Sequence, residues 1–388
     1  MAVALVNGRV LGDDGILEGR AVLLEGSRIA DVVSGDDARC RHASRHDLGG
    51  HLLLPGFLDI QVNGGGGVLF NAEPSVDAIR AIGEAHRRFG TTGFLPTLIS
   101  DDLEVVARAL QAVRAAMDAG VPGVLGIHIE GPYLNVARKG VHDSEKLRGL
   151  DEGAIGLLTS LRCGKTLVTL APEMTTPGII SKLASAGVVV SAGHTNATYG
   201  EIREALRHGL TGFTHLFNAM SQLTARAPGV VGAALEDPES WCGIIVDGRH
   251  VDPTVLRIAL RCKRRDRFML VTDAMPSVGA AEKSFSLQGR KISVADGVLV
   301  DKDGTLAGSD TDMATTVRNA IELLGVTLPE AARMASRNPA EFLGLGRELG
   351  RIAPGYRANL VLVDDRVEVR ETWIDGGLTA EASRSRAP

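Results

Sequence analysis

VVVSAGHTNATYGEIREALRHGLTGFTHLFNAM, residues 188–220, decides how the chain folds. It opens on a short run of β-branched residues and passes into a stretch whose Ile, Leu and Ala recur at helical spacing. That stretch stops with Gly209 just past its end, and a second short apolar run, 212–217, follows at once. Strand, helix and strand within about 30 residues make a β-α-β unit. Its two strands run into His194 and His215.

The same grammar repeats on both sides. Strand candidates lie at 56–62, 92–98, 124–130, 166–172, 188–194, 212–217, 242–247 and 268–273, separated by helical stretches such as 76–90, 101–120, 179–187 and 253–265. Eight such units predict an α/β fold, a (β/α)8 TIM-like barrel over residues 54–349, with the helical stretches 311–325 and 329–344 completing its outer ring. The first fifty residues read differently, as short apolar runs broken by Asn7-Gly8, Asp14-Gly15 and Gly26-Ser27, which is hairpin grammar. It returns after Gly350 in NLVLVD and VEVRETWIDGG. Neither end has enough strands to bury a sheet face alone, so residues 1–53 and 350–378 are expected to join in one small β-sandwich domain, with 379–388 a disordered tail.

Composition excludes several classes. Of 388 residues 44% are hydrophobic and 23% charged, ordinary globular values that leave no room for a disordered, collagen-like or coiled-coil chain. The net charge of −5 argues against a nucleic-acid binder or a polybasic membrane protein. No apolar run approaches a membrane span, and the amino terminus lacks the basic region of a secretory signal. Four scattered cysteines fit neither a metal knuckle nor a disulfide scaffold. The expectation is a soluble cytoplasmic protein. The 47 glycines, well above the usual share of roughly 7%, mark turns and close backbone approaches, among them Gly64 to Gly67, Gly131, Gly193, Gly248 and Gly308.

In such a barrel the chemistry gathers at the carboxyl ends of the strands. Gln61 and Asn63 end the first strand, His128 and Glu130 the third, Glu173 follows the fourth, His194 and His215 the fifth and sixth. Asp247 with Arg249 and His250 ends the seventh, and Asp273 the eighth. Taken singly, each reads as a hydrogen-bonded polar group at a strand end. Taken together, Glu130, His194 and His215 read as a divalent-metal ligand set, because two imidazoles and a carboxylate suit Zn²⁺ and leave a position for water. His128 shares a face with Glu130 and is read as a supporting or core histidine. A carboxylate at Asp273, ending an apolar strand beside such an ion, is a good general base.

The order and spacing of PGFLDIQVNG, GIHIEGPYLN, RKGVHD, TLAPE, VVSAGHTNAT, THLFNAM, IIVDGRHVD, LVTDA and GTLAGS resemble the N-acetylglucosamine-6-phosphate deacetylases, a branch of the metal-dependent amidohydrolase superfamily. The resemblance spans nearly the whole chain. It implies hydrolysis of the acetamide of a sugar phosphate, with the metal on Glu130, His194 and His215, Asp273 as acid and base, and His142 polarising the carbonyl. Substrate contacts would fall on Val141, His142, Asn218, Ala219, Arg226, Asp247, Gly248, Arg249, His250, Leu306, Ala307 and Gly308. Arg226 and His250 would meet the phosphate, since a guanidinium can engage its oxygens bidentately. Glu173 would play a supporting part. A homodimer with sites near the subunit interface is also implied. Many amidohydrolases carry His-x-His at the end of the first strand, whereas this chain has Gln61-Val62-Asn63. Carboxamides are poor zinc ligands and good hydrogen-bond partners for its water, so one divalent ion per chain is expected, Zn²⁺ first and Fe²⁺ as the alternative. A cyclic-amide hydrolase or deaminase is disfavoured by the same pair and by the lack of a strand-end lysine. A non-catalytic barrel is disfavoured by the complete ligand set.

Overall fold

The computed structural model describes residues 2–295 and 298–381. The chain divides into two compact units: Met1–Asp59, His86–Gly93 and Met313–Pro388 form the first, Ile60–Ala85 and Phe94–Asp312 the second.

In the first unit, strands from both chain ends build one sheet. Its order is Gly377–Glu381, Val369–Ile374, Leu360–Val363, Leu52–Pro55, Ala2–Gly12, Gly15–Glu25 and Arg28–Ser34, with Ser44–Asp47 also pairing with Ala2–Gly12. The ends meet where Leu360–Val363 runs antiparallel to Leu52–Pro55. Alternation along the strands explains why the sheet is stable: Leu5, Val22, Leu24, Leu53, Leu360 and Trp373 enter one apolar cluster, while Ala4, Val6, Ala21 and Leu23 enter another. A one-residue slip would swap the two sets and bury the wrong faces. Residues 379–381, expected in a disordered tail, belong to the last strand; the rest of that tail, 382–388, lies outside the described residues.

The parallel sheet has the eight strands read from the sequence: Phe57–Val62, Thr91–Ile99, Gly126–Glu130, Lys165–Leu170, Val189–Ala192, Leu210–Phe213, Trp241–Ile244 and Phe268–Leu270, each beside the next. The sheet closes where Val62 bridges Ala274 and the Asn63 and Gly64 amides donate to the Ala274 carbonyl at 2.8 and 3.0 Å. This is the expected (β/α)8 architecture. Its strands are buried along nearly their whole length, which is why they read as continuous apolar runs.

Several strands stop sooner than the sequence reading has them, and the reason is conformational. His194, His215 and Asp273 have φ of 48°, 33° and 53°, a left-handed backbone that cannot continue a strand. The chain therefore turns at three of the residues expected from the sequence to form the site. Among the elements not read from the sequence are the short helices Ala38–His42 and Glu152–Leu158, the two-stranded ribbon Gly64–Gly65 and Val68–Leu69, the helix Gly229–Glu236, apolar on all sides and so without a helical stripe, and a three-stranded antiparallel sheet, Phe285–Leu287, Arg290–Ala295 and Val298–Val300.

Candidate active site

Glu130 is the last residue of its strand, paired with Ile99 on one side and Thr169 on the other, so its carboxylate is placed by the sheet itself. Its Oε1 lies 3.2 Å from His194 Nε2 and 2.9 Å from His215 Nε2, and the two nitrogens are 3.0 Å apart. All three side chains are buried. His194 Nδ1 sits 2.9 Å from the Arg138 carbonyl, which can only accept, so the proton is on Nδ1 and the Nε2 lone pair faces Glu130 and His215. Three converging lone-pair atoms in a buried corner are what a divalent cation satisfies; the residues fit the metal their types imply. Glu173 braces the loop behind His194, accepting hydrogen bonds from Asn135 Nδ2, Thr195 Oγ1 and the Asn196 amide at 2.9, 2.5 and 2.6 Å.

Gln61 and Asn63 act as a bridge. Gln61 Nε2 donates to both Glu130 oxygens, at 3.3 and 3.1 Å, and to Asp273 Oδ1 at 3.2 Å. Asn63 Nδ2 donates to that same Oδ1. Asp273 is pushed up to about 6, by burial first and then by the Glu130 charge, against the opposing pull of His215, His250 and the Asn63 hydrogen bond. A buried carboxyl in that range can both take and return a proton near neutral pH.

His142 faces the same space. The Ser100 amide donates to its Nδ1 at 3.3 Å and the Ser100 hydroxyl lies 2.7 Å from it, so Nδ1 is an acceptor and Nε2 carries the proton. Burial and the neighbouring His194 hold the ring neutral, well below its ordinary range. The result is a neutral N–H donor packed 4.4 Å, centroid to centroid, from the His194 ring. His128 is different: it bonds Thr169 Oγ1 at 2.7 Å through Nε2, and burial lowers it to about 4, which makes it a neutral core histidine.

These groups open onto a cavity of about 360 Å³. Asn63, Glu130, Val141, His142, His194, His215, Asn218, Ala219, His250, Asp273, Leu306 and Gly308 all line it. Asp247 stands behind, its Oδ2 2.6 Å from His250 Nδ1 and its Oδ1 accepting the Arg249 and His250 amides, so it orients the imidazole. Ala307 is buried in an apolar cluster with Val141 and Met275. Gly248 and Arg249 belong to the turn that Asp247 caps, outside the wall, and Arg226 is exposed on the segment 222–228, also outside it. The sequence reading passed over Ser100 and Arg138. Ser100 sets the His142 tautomer; Arg138 supplies the carbonyl for His194 and lines the cavity, and its place in RKGVHD was the available signal.

A model of the amidohydrolase family matches residues 52–379. The chain belongs to the amidohydrolase family. Among relatives of this amidohydrolase, an N-acetylgalactosamine-6-phosphate deacetylase of Shewanella sp. is 45% identical over 86% of this chain and 84% of its own. An N-acetylglucosamine-6-phosphate deacetylase of Haemophilus influenzae is 35% identical over 97% and 99%. The crystal structure of N-acetylglucosamine-6-phosphate deacetylase from Pasteurella multocida superposes with a TM-score of 0.94 at 36% identity, covering 98% of this chain and 100% of that one. A mutant of the Mycobacterium smegmatis enzyme in complex with N-acetyl-D-glucosamine-6-phosphate superposes with a TM-score of 0.89 at 33% identity, over 98% and 99%.

Proposed function

We propose that this amidohydrolase hydrolyses the acetamide of N-acetyl-D-glucosamine 6-phosphate, giving D-glucosamine 6-phosphate and acetate. The observation that carries the reading is the convergence of Glu130, His194 and His215 with Asp273 and a neutral His142 on one cavity. Glu130, His194 and His215 would hold one divalent ion, zinc in our reading, which supplies Lewis-acid polarisation and lowers the pKa of water. Asp273, ionised, takes the proton of the attacking water and returns it to the departing amine. His142 donates Nε2–H to the acetyl oxygen as charge develops there. His250, oriented by Asp247, binds the phosphate. Arg226, exposed and away from this cavity, serves the site of a second copy in a cytoplasmic homodimer.

The Shewanella relative favours a second substrate, the 4-epimer N-acetyl-D-galactosamine 6-phosphate. The deciding experiment measures acetate release from both epimers and from unphosphorylated N-acetylglucosamine, with and without chelator. Metal-dependent release from the glucosamine phosphate at the highest kcat/KM is the expected result. A clear preference for the galactosamine phosphate selects the second reading, and no release from either overturns both. Arg226→Ala should cost about 10- to 100-fold on the phosphorylated sugar, the size of a lost charged hydrogen bond, and little on the free sugar. Equal losses on the two would remove Arg226 from the phosphate.

A further inference from the structure

We propose that the three-stranded sheet at 285–300 is a positioning element for His142, acting through Gln288 and Arg290. Gln288 Nε2 donates to the Ser100 carbonyl at 2.7 Å, and Ser100 in turn holds His142 Nδ1 through its amide and hydroxyl. Arg290 donates to the carbonyl of Val141, the residue before His142, and lies 3.9 Å from Asp301. Asp301 caps the turn leading to the cavity wall at Leu306, accepting the Asp303 and Thr305 amides at 2.9 Å each. The insert therefore grips His142 from the Ser100 side and the Val141 side together. Leu287, Ile292 and Leu299 pack with Val141, Met275 and Ala307, which gives the grip a rigid base.

The turn chemistry supports this. Leu287 pairs with Arg290, so Gln288 and Gly289 are a two-residue hairpin loop, with φ of 48° and 78°. That is a type I′ turn, whose first position favours Asn, Asp or Gly, and a longer side chain has no local reason to be there. Gln has the reach to meet Ser100 that Asn lacks by one methylene. The turn has accepted the locally poorer residue, and the contact explains it.

This rests on the reading of His142 as the carbonyl's hydrogen-bond donor, and the test separates the two. Gln288→Asn suits the turn and shortens the arm; Gln288→Glu keeps the length and removes the donor. For both we expect kcat on the deacetylation substrate to fall by about 10-fold or more through misplacement of His142, with KM within about twofold. The ¹⁵N resonances of His142 Nδ1 and Nε2 should shift, while Tm for Gln288→Asn stays at or above the parent value. Arg290→Met should act in the same direction. Unchanged His142 resonances overturn the proposal whatever the kinetics, as does unchanged kcat in an active parent. If the parent releases no acetate, the proposed function falls, and the resonances alone decide the positioning role: shifted, it stands; unshifted, it fails.

Discussion

Asn63 Nδ2 donates to Asp273 Oδ1 at 2.6 Å, and Gln61 approaches the same oxygen at 3.2 Å. Both donors favour the ionised carboxylate and oppose the burial that raises it. The ionised form is the one able to accept a proton, so activity is present above the Asp273 pKa and lost as pH falls through it. We expect kcat/KM to drop tenfold per unit on an acid limb at or below about 6, since a cation beside the carboxylate pulls its value down further. Asn63→Ala removes a favourable donor and should move that limb upward by roughly half to one pH unit. A pH–rate profile of the two proteins checks this; an unmoved limb contradicts it.

Asp273 touches none of the three ligand side chains through a hydrogen bond in the structure; its contacts there are the two carboxamides. Asp273→Asn should therefore keep one equivalent of bound metal per chain while kcat falls by about 10²–10⁴, the usual worth of general acid–base help. Metal analysis beside steady-state kinetics decides it. Near-parental turnover would take Asp273 out of the proton path.

Removing one imidazole acts on the other quantity. His194→Ala should abolish tight metal binding, and with it the stabilisation the ion confers on the parent, about 2.7 kcal/mol when free metal stands at 100 times Kd. Thermal melts with and without chelator measure it: the parent should shift, the variant should not. Two tightly held equivalents in the parent would overturn the single-ion reading drawn from Gln61 and Asn63.

Gly308 has φ of 69°, and a Cβ there would meet Met275 Cγ at 2.5 Å and the Asp273 carbonyl at 2.8 Å. The next residue ties the same carbonyl through the Ser309 amide at 2.9 Å. Gly308→Ala should cost about 1–3 kcal/mol of stability and displace Asp273, lowering kcat as well. Denaturant melts and kinetics on one preparation check both halves.

The eight barrel strands were legible because strands buried on both faces appear as unbroken apolar runs with turn signals between them. The joining of the chain ends was legible from strand number alone. The places where strands stop were not, since nothing in VVVSAGH announces that His194 turns left-handed. The helix at 229–236 hid because it has no polar face. The first hairpin of the sheet formed by Phe285–Leu287, Arg290–Ala295 and Val298–Val300 turns on Gln-Gly and gave little signal, whereas the Asp296-Gly297 pair in the sequence before Val298 was a legible hairpin signal that the reading passed over. In the site, Glu130, His194, His215 and Asp273 stood out at strand ends, and His142 was found only through the family resemblance. Ser100 and Arg138 did not stand out, because what they contribute is a tautomer and a main-chain oxygen.

Glu130 and its two imidazole companions are held in unequal ways. The carboxylate belongs to a strand with a neighbour on either side, while His194 and His215 sit on left-handed turns just beyond their strands. Assembly of this centre is thus lopsided: one oxygen is a fixed post, and the two rings are hinged to it. The affinity of an ion held by these three residues, as proposed, would be adjustable from the loops that carry those turns, by contacts such as Glu173 to Thr195, without any residue of the sheet being touched.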